Sequence, residues 1–268
     1  MKKLLIDAGN SSIKWALLNT LLDTNSLSKM NSRPYENNTP FDTFKLVLEQ
    51  QRKKYEIDEV IIVSVLGDSY ITAAKKASQN AKLEFVNAKP LKELAGVTNA
   101  YNEPHKLGTD RLVAMIAAYH LEKTQASIVV DSGTATTIDA VDAQGQHLGG
   151  LILPGLDLCS QSLLDKTELL AEFNEGKHDF EPNIFSTDTK QAIASGSLFG
   201  LVGAINDICL KMENEIQQRS SGNIIVKKLI CGGSASKLLP YLSKEFKHHE
   251  DLLMQGLKII SKQNKKTR

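Results

Sequence analysis

The sequence predicts an α/β protein of two related lobes, each with a mixed β-sheet flanked by helices, and with a cleft between the lobes. Short apolar runs alternate with helical periodicity along most of the chain. A unit of strand, polar loop and strand occurs twice. The chain has 268 residues, 41% of them hydrophobic, which is enough to bury a core without disulfides or structural metal. We expect an N-terminal lobe over residues 1–120 and a C-terminal lobe over residues 121–268.

The first lobe begins with two apolar runs separated by a polar turn. Residues 4–6 lead into the turn Asp-Ala-Gly-Asn at 7–10, and residues 13–18 continue after it. This pattern predicts a β-hairpin with a polar loop. The pattern of the rest of the lobe predicts a helix over 41–55, a strand over 60–65, a helix over 69–79, a strand over 83–86 and a helix over 109–121.

The second lobe begins in the same way. A buried strand over 126–130 leads into Asp131, and residues 136–141 return as a strand. Asp7 and Asp131 are separated by nearly half the chain, which indicates a diverged duplication. The remaining predictions are a strand over 146–153, a helix from 154 to about 170, a helix over 188–217, a strand over 224–230 and a helix over 235–242.

The segment from Asp7 to Lys14 combines groups that bind phosphate and its metal ion. A carboxylate follows a buried strand, then come backbone N–H groups and hydroxyls, and then a lysine. Because Asp, Gly, Asn and Ser also form ordinary turns, a plain hairpin is the alternative. Residues 131–137 repeat the order of carboxylate, glycine and hydroxyl, and this repetition favours the ligand-binding interpretation.

The common phosphate-binding motifs are missing from the sequence. There is no G-x-x-x-x-G-K-[ST] loop, so a P-loop is excluded as the phosphate site, and no G-x-G-x-x-G follows a strand to suggest a dinucleotide-binding fold. A turn at 231–234, Cys-Gly-Gly-Ser between a strand and a helix, is a third candidate ligand loop. An ordinary strand-to-helix turn is equally compatible with it.

A further candidate site lies at the start of the predicted helix 109–121. Asp110 and Arg111 stand side by side there after Gly108, at a position where free N–H groups and the helix dipole attract anions. The alternative is a capping aspartate beside a surface arginine. Residues 149–155 form a strand flanked by glycines, which permits close approach of another backbone.

In their order and spacing, the segments 7–14, 108–111, 131–136 and 149–155 resemble the type III pantothenate kinases. The match extends from residue 4 to about residue 240. The resemblance implies the fold of actin and the sugar kinases, a homodimer, and ATP-dependent phosphorylation of pantothenate to 4′-phosphopantothenate, the first step of coenzyme A biosynthesis.

The resemblance also implies a role for each site residue. ATP would contact Asp7, Ala8, Gly9, Asn10, Ser11, Ser12, Ile13, Lys14 and Thr134. Pantothenate would contact Tyr101, Gly108, Thr109, Asp110, Arg111 and Thr189. Asp110 would be the catalytic proton acceptor, and Asp131 would hold a monovalent cation, potassium or ammonium. Asp7 would reach Mg²⁺ directly or through water.

Two departures from the family pattern are small. Ser11 replaces the usual Thr but keeps its hydroxyl, so we expect no loss of function there. Thr109 replaces the common Ala or Val and adds an oxygen beside the proposed base. The identity of the base is unaffected, although its surroundings differ from the family pattern.

The composition indicates which partners and which cellular compartment to expect. The formal net charge is +1, so nothing in the charge balance indicates nucleic acid or a membrane. The cysteines at 159, 209 and 231 lack paired spacing, and we expect buried thiols in a reducing cytoplasm. Two alternatives stay open: a kinase of the same fold that acts on another small hydroxy compound, and a non-catalytic ATP-binding regulator.

Overall fold

The computed structural model of the chain describes residues 2–20, 26–35, 39–123, 125–166, 181–220 and 224–263. The chain divides into two compact units. The first contains residues 1–121, 145–147 and 251–268, and the second contains residues 122–144 and 148–250. The chain therefore passes from the first unit to the second and returns to the first at its end.

The strands are short and follow the apolar runs of the sequence. In chain order they are β1 Lys2–Ala8, β2 Ser12–Asn19, β3 Ser26–Leu27, β4 Asn31–Pro34, β5 Glu59–Ser64, β6 Glu84–Asn87, β7 Glu93–Leu94, β8 Val97–Thr98, β9 Ala126–Ser132, β10 Ala135–Val141, β11 His147–Pro154, β12 Val226–Cys231 and β13 Phe246–His248.

The helices alternate with these strands. They are α1 Pro40–Lys54, α2 Gly67–Asn80, α3 Thr109–Leu121, α4 Leu156–Lys166, α5 Thr189–Arg219, α6 Ala235–Leu238 and α7 Leu252–Gln263. Two 3₁₀ turns, Pro104–Lys106 and Leu239–Tyr241, precede α3 and follow α6.

The two units have sheets of the same strand order. The first sheet runs β3-β2-β1-β5-β6, with β4 also paired to β2, and the second runs β11-β10-β9-β12-β13. In each, the first long strand pairs antiparallel with its hairpin partner and parallel with the next strand on the other side. This correspondence confirms the predicted α/β fold of two related lobes with mixed sheets.

The core of the first unit lies between its sheet and helices α1 and α2. Leu4, Ile6 and Ala8 alternate along β1 and are fully buried in it, because successive side chains of a strand point to opposite faces. Helix α1 contributes Phe44 and Val47. Its start is fixed by Thr39, whose side chain accepts a hydrogen bond from the Asp42 N–H at 3.1 Å.

The last helix belongs to the first unit. A Cβ added at Gly256 of α7 would lie 2.2 Å from the Val113 carbonyl oxygen, so only glycine permits this close approach to α3. The buried Lys3 side chain of β1 pairs with Glu59 at 2.5 Å and donates to the Ser261 carbonyl oxygen of α7 at 3.2 Å. The predicted C-terminal lobe, 121–268, therefore includes residues 121, 145–147 and 251–268, which the structure groups with the first unit.

The core of the second unit lies between its sheet and α5. Ile128 and Val130 of β9 pack with Leu198, Val202 and Ile205 of this helix. By length and composition alone α5 is apolar enough to cross a membrane, but core helices of soluble proteins have the same properties. Eight of the described side chains of α5, among them Leu198, Val202 and Ile205, are buried in this unit.

Most predicted elements are confirmed, with ends shifted by no more than three residues. The helix predicted over 235–242 is wrong in its second half, because Pro240 lacks an N–H donor and the chain continues as a 3₁₀ turn. The helix predicted to end near Leu170 is confirmed through Lys166, and its last residues lie outside the described part of the chain. Cys209 and Cys231 are buried as expected, whereas Cys159 is only partly buried.

Candidate active site

The first hairpin places Asp7 at the penultimate position of β1. In the antiparallel register Asp7 faces Lys14 of β2, with their charged atoms 4.0 Å apart. The loop is closed by the Gly9 N–H, which donates to the Ser12 carbonyl oxygen at 3.1 Å. The Asp7 side chain is 13% exposed, so its carboxylate keeps limited contact with solvent. The arrangement offers a carboxylate, a cation and a polar loop at one end of a buried strand.

Two tyrosines next to this hairpin have unusual surroundings. The hydroxyls of Tyr35 and Tyr70 are buried and have no hydrogen-bond partner within the described ranges. Burial, and secondly the charge of Asp7, raises the pKa of Tyr35 far above its ordinary value. Burial likewise raises the pKa of Tyr70, with smaller contributions from Tyr35 and Asp7. The Tyr35 N–H donates to the Ser11 carbonyl oxygen at 3.2 Å and so fixes the loop.

The segment 108–111 begins helix α3 as predicted. The Asp110 Oδ1 atom accepts a hydrogen bond from the Arg111 N–H at 2.9 Å, so the carboxylate lies at the positive end of the helix. A Cβ added at Gly108 would lie 2.6 Å from this oxygen. A side chain at position 108 would therefore displace the Asp110 carboxylate from this position, while Thr109 forms the first residue of the helix.

The Arg111 side chain is held by Tyr101. Arg111 is only 5% exposed, which contradicts the alternative of a surface arginine. Its Nη1 atom donates to the Tyr101 hydroxyl oxygen at 3.0 Å, and its guanidinium carbon lies 5.7 Å from the centre of the tyrosine ring. Three of the predicted substrate residues, Tyr101, Asp110 and Arg111, are thus joined in the first unit.

The second hairpin places Asp131 at the penultimate position of β9. It pairs in register with Thr137 of β10 and with Cys231 of the parallel strand β12. The turn after β12 approaches it closely. A Cβ added at Gly232, where φ is +96°, would lie 2.5 Å from the Asp131 Oδ1 atom and 2.4 Å from the Ser132 carbonyl oxygen. The third candidate loop therefore packs on the aspartate of the second hairpin.

The backbone of the second hairpin loop also accepts a hydrogen bond from the residue that follows β11. The Gly155 N–H donates to the Thr134 carbonyl oxygen at 3.1 Å. A Cβ at Gly155 would lie 2.3 Å from the Gly133 carbonyl oxygen, which explains why a glycine follows strand β11. The predicted close approach of the glycine-flanked segment 149–155 is confirmed, and the Thr134 side chain is left exposed.

Thr189 is the first residue of α5 and is exposed. The helix is capped by Asp188, whose side chain accepts from the Gln191 N–H at 3.1 Å. Thr189, Thr134 and Asp131 belong to the second unit, whereas the 7–14 hairpin, Tyr101 and the 108–111 segment belong to the first.

Comparison with known proteins decides the family. The family model described as type III pantothenate kinase matches residues 3–211. The chain belongs to the type III pantothenate kinases. A relative of that name from Nitrosococcus oceani is 31% identical over 99% of this chain and 96% of its own length. Another, from Pseudoalteromonas translucida, is 33% identical over 95% of this chain and 94% of its own.

Solved structures support the fold. The archaeal actin homologue Ta0583 has a TM-score of 0.51 at 14% identity, covering 98% of this chain and 100% of its own. The ethanolamine utilization protein EutJ from Carboxydothermus hydrogenoformans has a TM-score of 0.52 at 13% identity, covering 97% of this chain and 90% of its own. At these identities the similarity shows the fold alone, which is that of the actin-like ATPases.

This type III pantothenate kinase phosphorylates pantothenate with ATP to give 4′-phosphopantothenate, the first step of coenzyme A biosynthesis. Its nucleotide is used with Mg²⁺, and the donor atoms of the first hairpin fit such a group. No cluster of three or more acidic, cysteine or histidine side chains suited to a metal occurs in the described ranges. A single carboxylate such as Asp7 fits Mg²⁺, which keeps several waters and binds mainly through substrate phosphates.

The sequence interpretation missed the residues that support the site. Asn99 and His147 contact the segment around Tyr101, and Tyr35 and Tyr70 flank the first hairpin. Such roles carry no local sequence signal, because each depends on a contact made by the tertiary structure. The contact at Gly155 was predicted, because the glycines that flank the strand in residues 149–155 had already indicated a close backbone approach.

Proposed function

We propose that Asp110 is the proton acceptor of this kinase and that Arg111, positioned by Tyr101, binds the pantothenate carboxylate. The observation that carries the proposal is the adjacency of a carboxylate and a buried guanidinium at the start of α3. Pantothenate is a carboxylate with a primary hydroxyl, so its site needs one cation and one hydrogen-bond acceptor. Gly108, Thr109 and Thr189 complete the proposed substrate contacts.

The position of Asp110 suits a late acceptance of the proton. Phosphoryl transfer depends mainly on positioning and charge neutralisation, with little need for an early-deprotonated nucleophile. The hydrogen bond from the Arg111 N–H stabilises the charged carboxylate at the helix start. Asp110 would therefore orient the hydroxyl of pantothenate and take its proton as the new bond to phosphorus forms.

ATP binding is assigned to the first hairpin and to Thr134. The loop from Ala8 to Ile13 would offer backbone N–H groups and the hydroxyls of Ser11 and Ser12 to the phosphates, and Lys14 would neutralise their charge. Asp7 would hold Mg²⁺ directly or through water. When bound, this ion neutralises charge on the β- and γ-phosphate oxygens.

A monovalent cation, potassium or ammonium, is proposed at Asp131. The Asp131 Oδ1 atom and the Ser132 carbonyl oxygen both lie within 2.5 Å of the point where a Cβ at Gly232 would stand, so two oxygen atoms converge there. Oxygen atoms of this kind are the ligands that hard cations prefer. The proposal predicts faster turnover in potassium buffer than in sodium buffer.

A homodimer is proposed for this kinase. Four large apolar side chains of β11 and α4 are at least 43% exposed in a single chain: Leu151, Ile152, Leu158 and Leu163. Exposed apolar side chains concentrated in one region are typical of protein–protein interfaces. Sedimentation equilibrium of the parent chain and of Ile152→Lys tests this, and we expect the substitution to shift a dimer towards monomer.

A cytoplasmic location is proposed because the reducing cytosol preserves thiols. The three cysteines are free in the structure, and burial raises the pKa of Cys209 to about 12, which makes this thiol unreactive. Fractionation of cells, with detection of the enzyme in the cytosolic and membrane fractions, tests the location.

The experiment that tests the site is ADP release from purified enzyme with ATP, Mg²⁺ and pantothenate. Asp110→Asn should lower turnover by about 10²–10⁴, the usual contribution of a general base, without loss of folding. The matched control is Asp68→Asn, because Asp68 is an exposed aspartate in the first turn of another helix, α2. Full turnover in Asp110→Asn would rule out its assignment as the proton acceptor.

A further inference from the structure

The loop before α3 is fixed by a fully buried asparagine. Asn99 is 0% exposed. Its Oδ1 atom accepts from the Tyr101 N–H at 2.9 Å, and its Nδ2 atom donates to the Pro104 carbonyl oxygen at 3.1 Å. Its own carbonyl oxygen accepts from the Lys92 Nζ atom at 2.7 Å. The asparagine therefore fixes the main chain on both sides of Tyr101.

The ring of Tyr101 is fixed by a histidine that is distant in sequence. His147 is 1% exposed, and its ring stacks on that of Tyr101 with centres 6.1 Å apart and planes 15° apart. Its Nδ1 atom accepts from the Ala100 N–H at 3.4 Å, which orients the imidazole. The segment that contains His147 is hydrogen-bonded to the strand before Tyr101, because the Thr98 N–H donates to the Gly145 carbonyl oxygen at 2.8 Å.

The hydroxyl of Tyr101, whose ring and main chain are fixed in this way, positions the Arg111 side chain. The phenol oxygen accepts from the guanidinium at 3.0 Å, so its own proton is free to be donated in another direction. A tyrosine hydroxyl and a guanidinium that point at one place form a donor set for a carboxylate. Holding both groups beforehand lowers the conformational entropy that binding would otherwise remove.

We infer that Asn99 and His147 are positioning residues for the pantothenate carboxylate and that both act through Tyr101. The inference rests on the proposed roles of Tyr101 and Arg111. Neither residue is assigned to the reacting atoms. Their loss should therefore weaken pantothenate binding and leave the ATP site and the transfer step unchanged.

The test is a double-mutant cycle on the KM for pantothenate. We expect His147→Ala and Asn99→Ala each to raise this KM about tenfold, with the KM for ATP unchanged and kcat within about twofold. In a Tyr101→Ala background neither should raise it further, because the residue through which they act is already absent. The inference would be overturned if the free-energy effects of the single substitutions on the KM for pantothenate add in the double variants. It would also be overturned if the KM for ATP rises as much as the KM for pantothenate.

Two further variants separate positioning from general stability. His147→Phe keeps a stacking ring and should keep the KM within about threefold of the parent. His120→Ala is the matched control, since His120 also contacts a tyrosine ring, at 5.3 Å, and a backbone carbonyl oxygen, at 2.8 Å. A similar KM increase in His120→Ala would attribute the effect to loss of packing and overturn the inference.

The outcomes also distinguish this inference from the proposed function beneath it. If Tyr101→Ala and Arg111→Lys leave the KM for pantothenate unchanged, the substrate assignment fails and this inference fails with it. If those two variants raise the KM and the Asn99 and His147 variants do not, the substrate assignment stands and only the positioning role is wrong. Thermal melting of each variant confirms that folded enzymes are compared.

Discussion

The two hairpins of this kinase have the same design and different surroundings. In each, an aspartate precedes the last residue of the first strand, and the following glycine N–H closes the loop, at 3.1 Å for Gly9 and 2.9 Å for Gly133. The Asp7 hairpin faces a lysine, whereas at Asp131 the facing residue is Thr137.

The larger difference is in the neighbouring turns. Gly67, at the start of α2 after β5, has no atom within 4 Å of an added Cβ, although its φ is +81°. Gly232, after β12, has backbone and Asp131 atoms within 2.5 Å of that position. The turn after β5 thus leaves open space, whereas the turn after β12 packs closely on Asp131. This difference fits the proposed division between phosphate binding at the first hairpin and cation binding at the second.

The largest effect expected from this comparison is on stability. Gly232→Ala should lower the free energy of unfolding by about 3–5 kcal/mol, since backbone strain and steric overlap add. Gly67→Ala has the same strain but open space, and should cost about 1–2 kcal/mol. Urea unfolding of both variants measures the difference. Equal losses would show that close packing at the second hairpin has no energetic weight.

The next effect is on catalysis. Asp7→Asn should lower kcat by about 10²–10³ in any buffer. The substitution removes the carboxylate proposed to hold Mg²⁺, which neutralises the charge that develops on the phosphates. Asp131→Asn should mainly raise the potassium concentration needed for half-maximal activity. Titrations of ADP release with potassium chloride compare the two. An identical potassium response would contradict the proposed division of roles.

A smaller effect tests the charge at the first hairpin. Lys14→Met should raise the KM for ATP about tenfold, the loss expected for one charge-assisted hydrogen bond. Thr137→Val replaces the residue at the corresponding position of the second hairpin and should leave this KM within about twofold. If the two substitutions have equal effects, the lysine does not contribute to nucleotide binding.

The smallest effect concerns the tyrosines beside the first hairpin. Burial raises the pKa of Tyr70, so its hydroxyl stays protonated in the folded state while the unfolded chain loses the proton near pH ~10. Its contribution is therefore intact below that pH and is lost as the pH rises further. Tyr70→Phe should change stability at pH 8 by less than about 1 kcal/mol and reduce the alkaline loss.

Urea unfolding at pH 8 and pH 10.5 measures this. Tyr241→Phe, at an exposed tyrosine of the second unit, is the control and should retain the alkaline loss of the parent. If Tyr70→Phe loses as much stability at pH 10.5 as the parent, its hydroxyl does not cause the alkaline sensitivity.

Local patterns predicted much of the fold. Helix α3 was predicted with its observed ends, and the two hairpins followed from apolar runs that stop at an aspartate. Helix α7 was missed, although Leu253, Leu257 and Ile260 have helical spacing and are buried on one side of it. Strands of two or three residues, such as β7 and β13, were also missed, because so short a run has no detectable period.

The site was predicted as a set of residues and not as a set of contacts. The order of motifs identified Asp110 and Arg111, but the hydrogen bond from Arg111 to Tyr101 joins residues separated by an irregular loop. His147 is still farther along the chain, and nothing at its position indicates that it packs on Tyr101. Contacts of this kind follow from the tertiary fold alone.

The return of α7 to the first unit has a consequence for synthesis. Lys3 of β1 donates to Ser261 across 258 residues of sequence, so the first strand lacks part of its packing until the last helix has been made. A chain emerging from the ribosome can complete its second unit, 122–144 with 148–250, before its first. The first unit, although β1 and β2 are translated early, is therefore the one whose folding must wait until α7 has been translated.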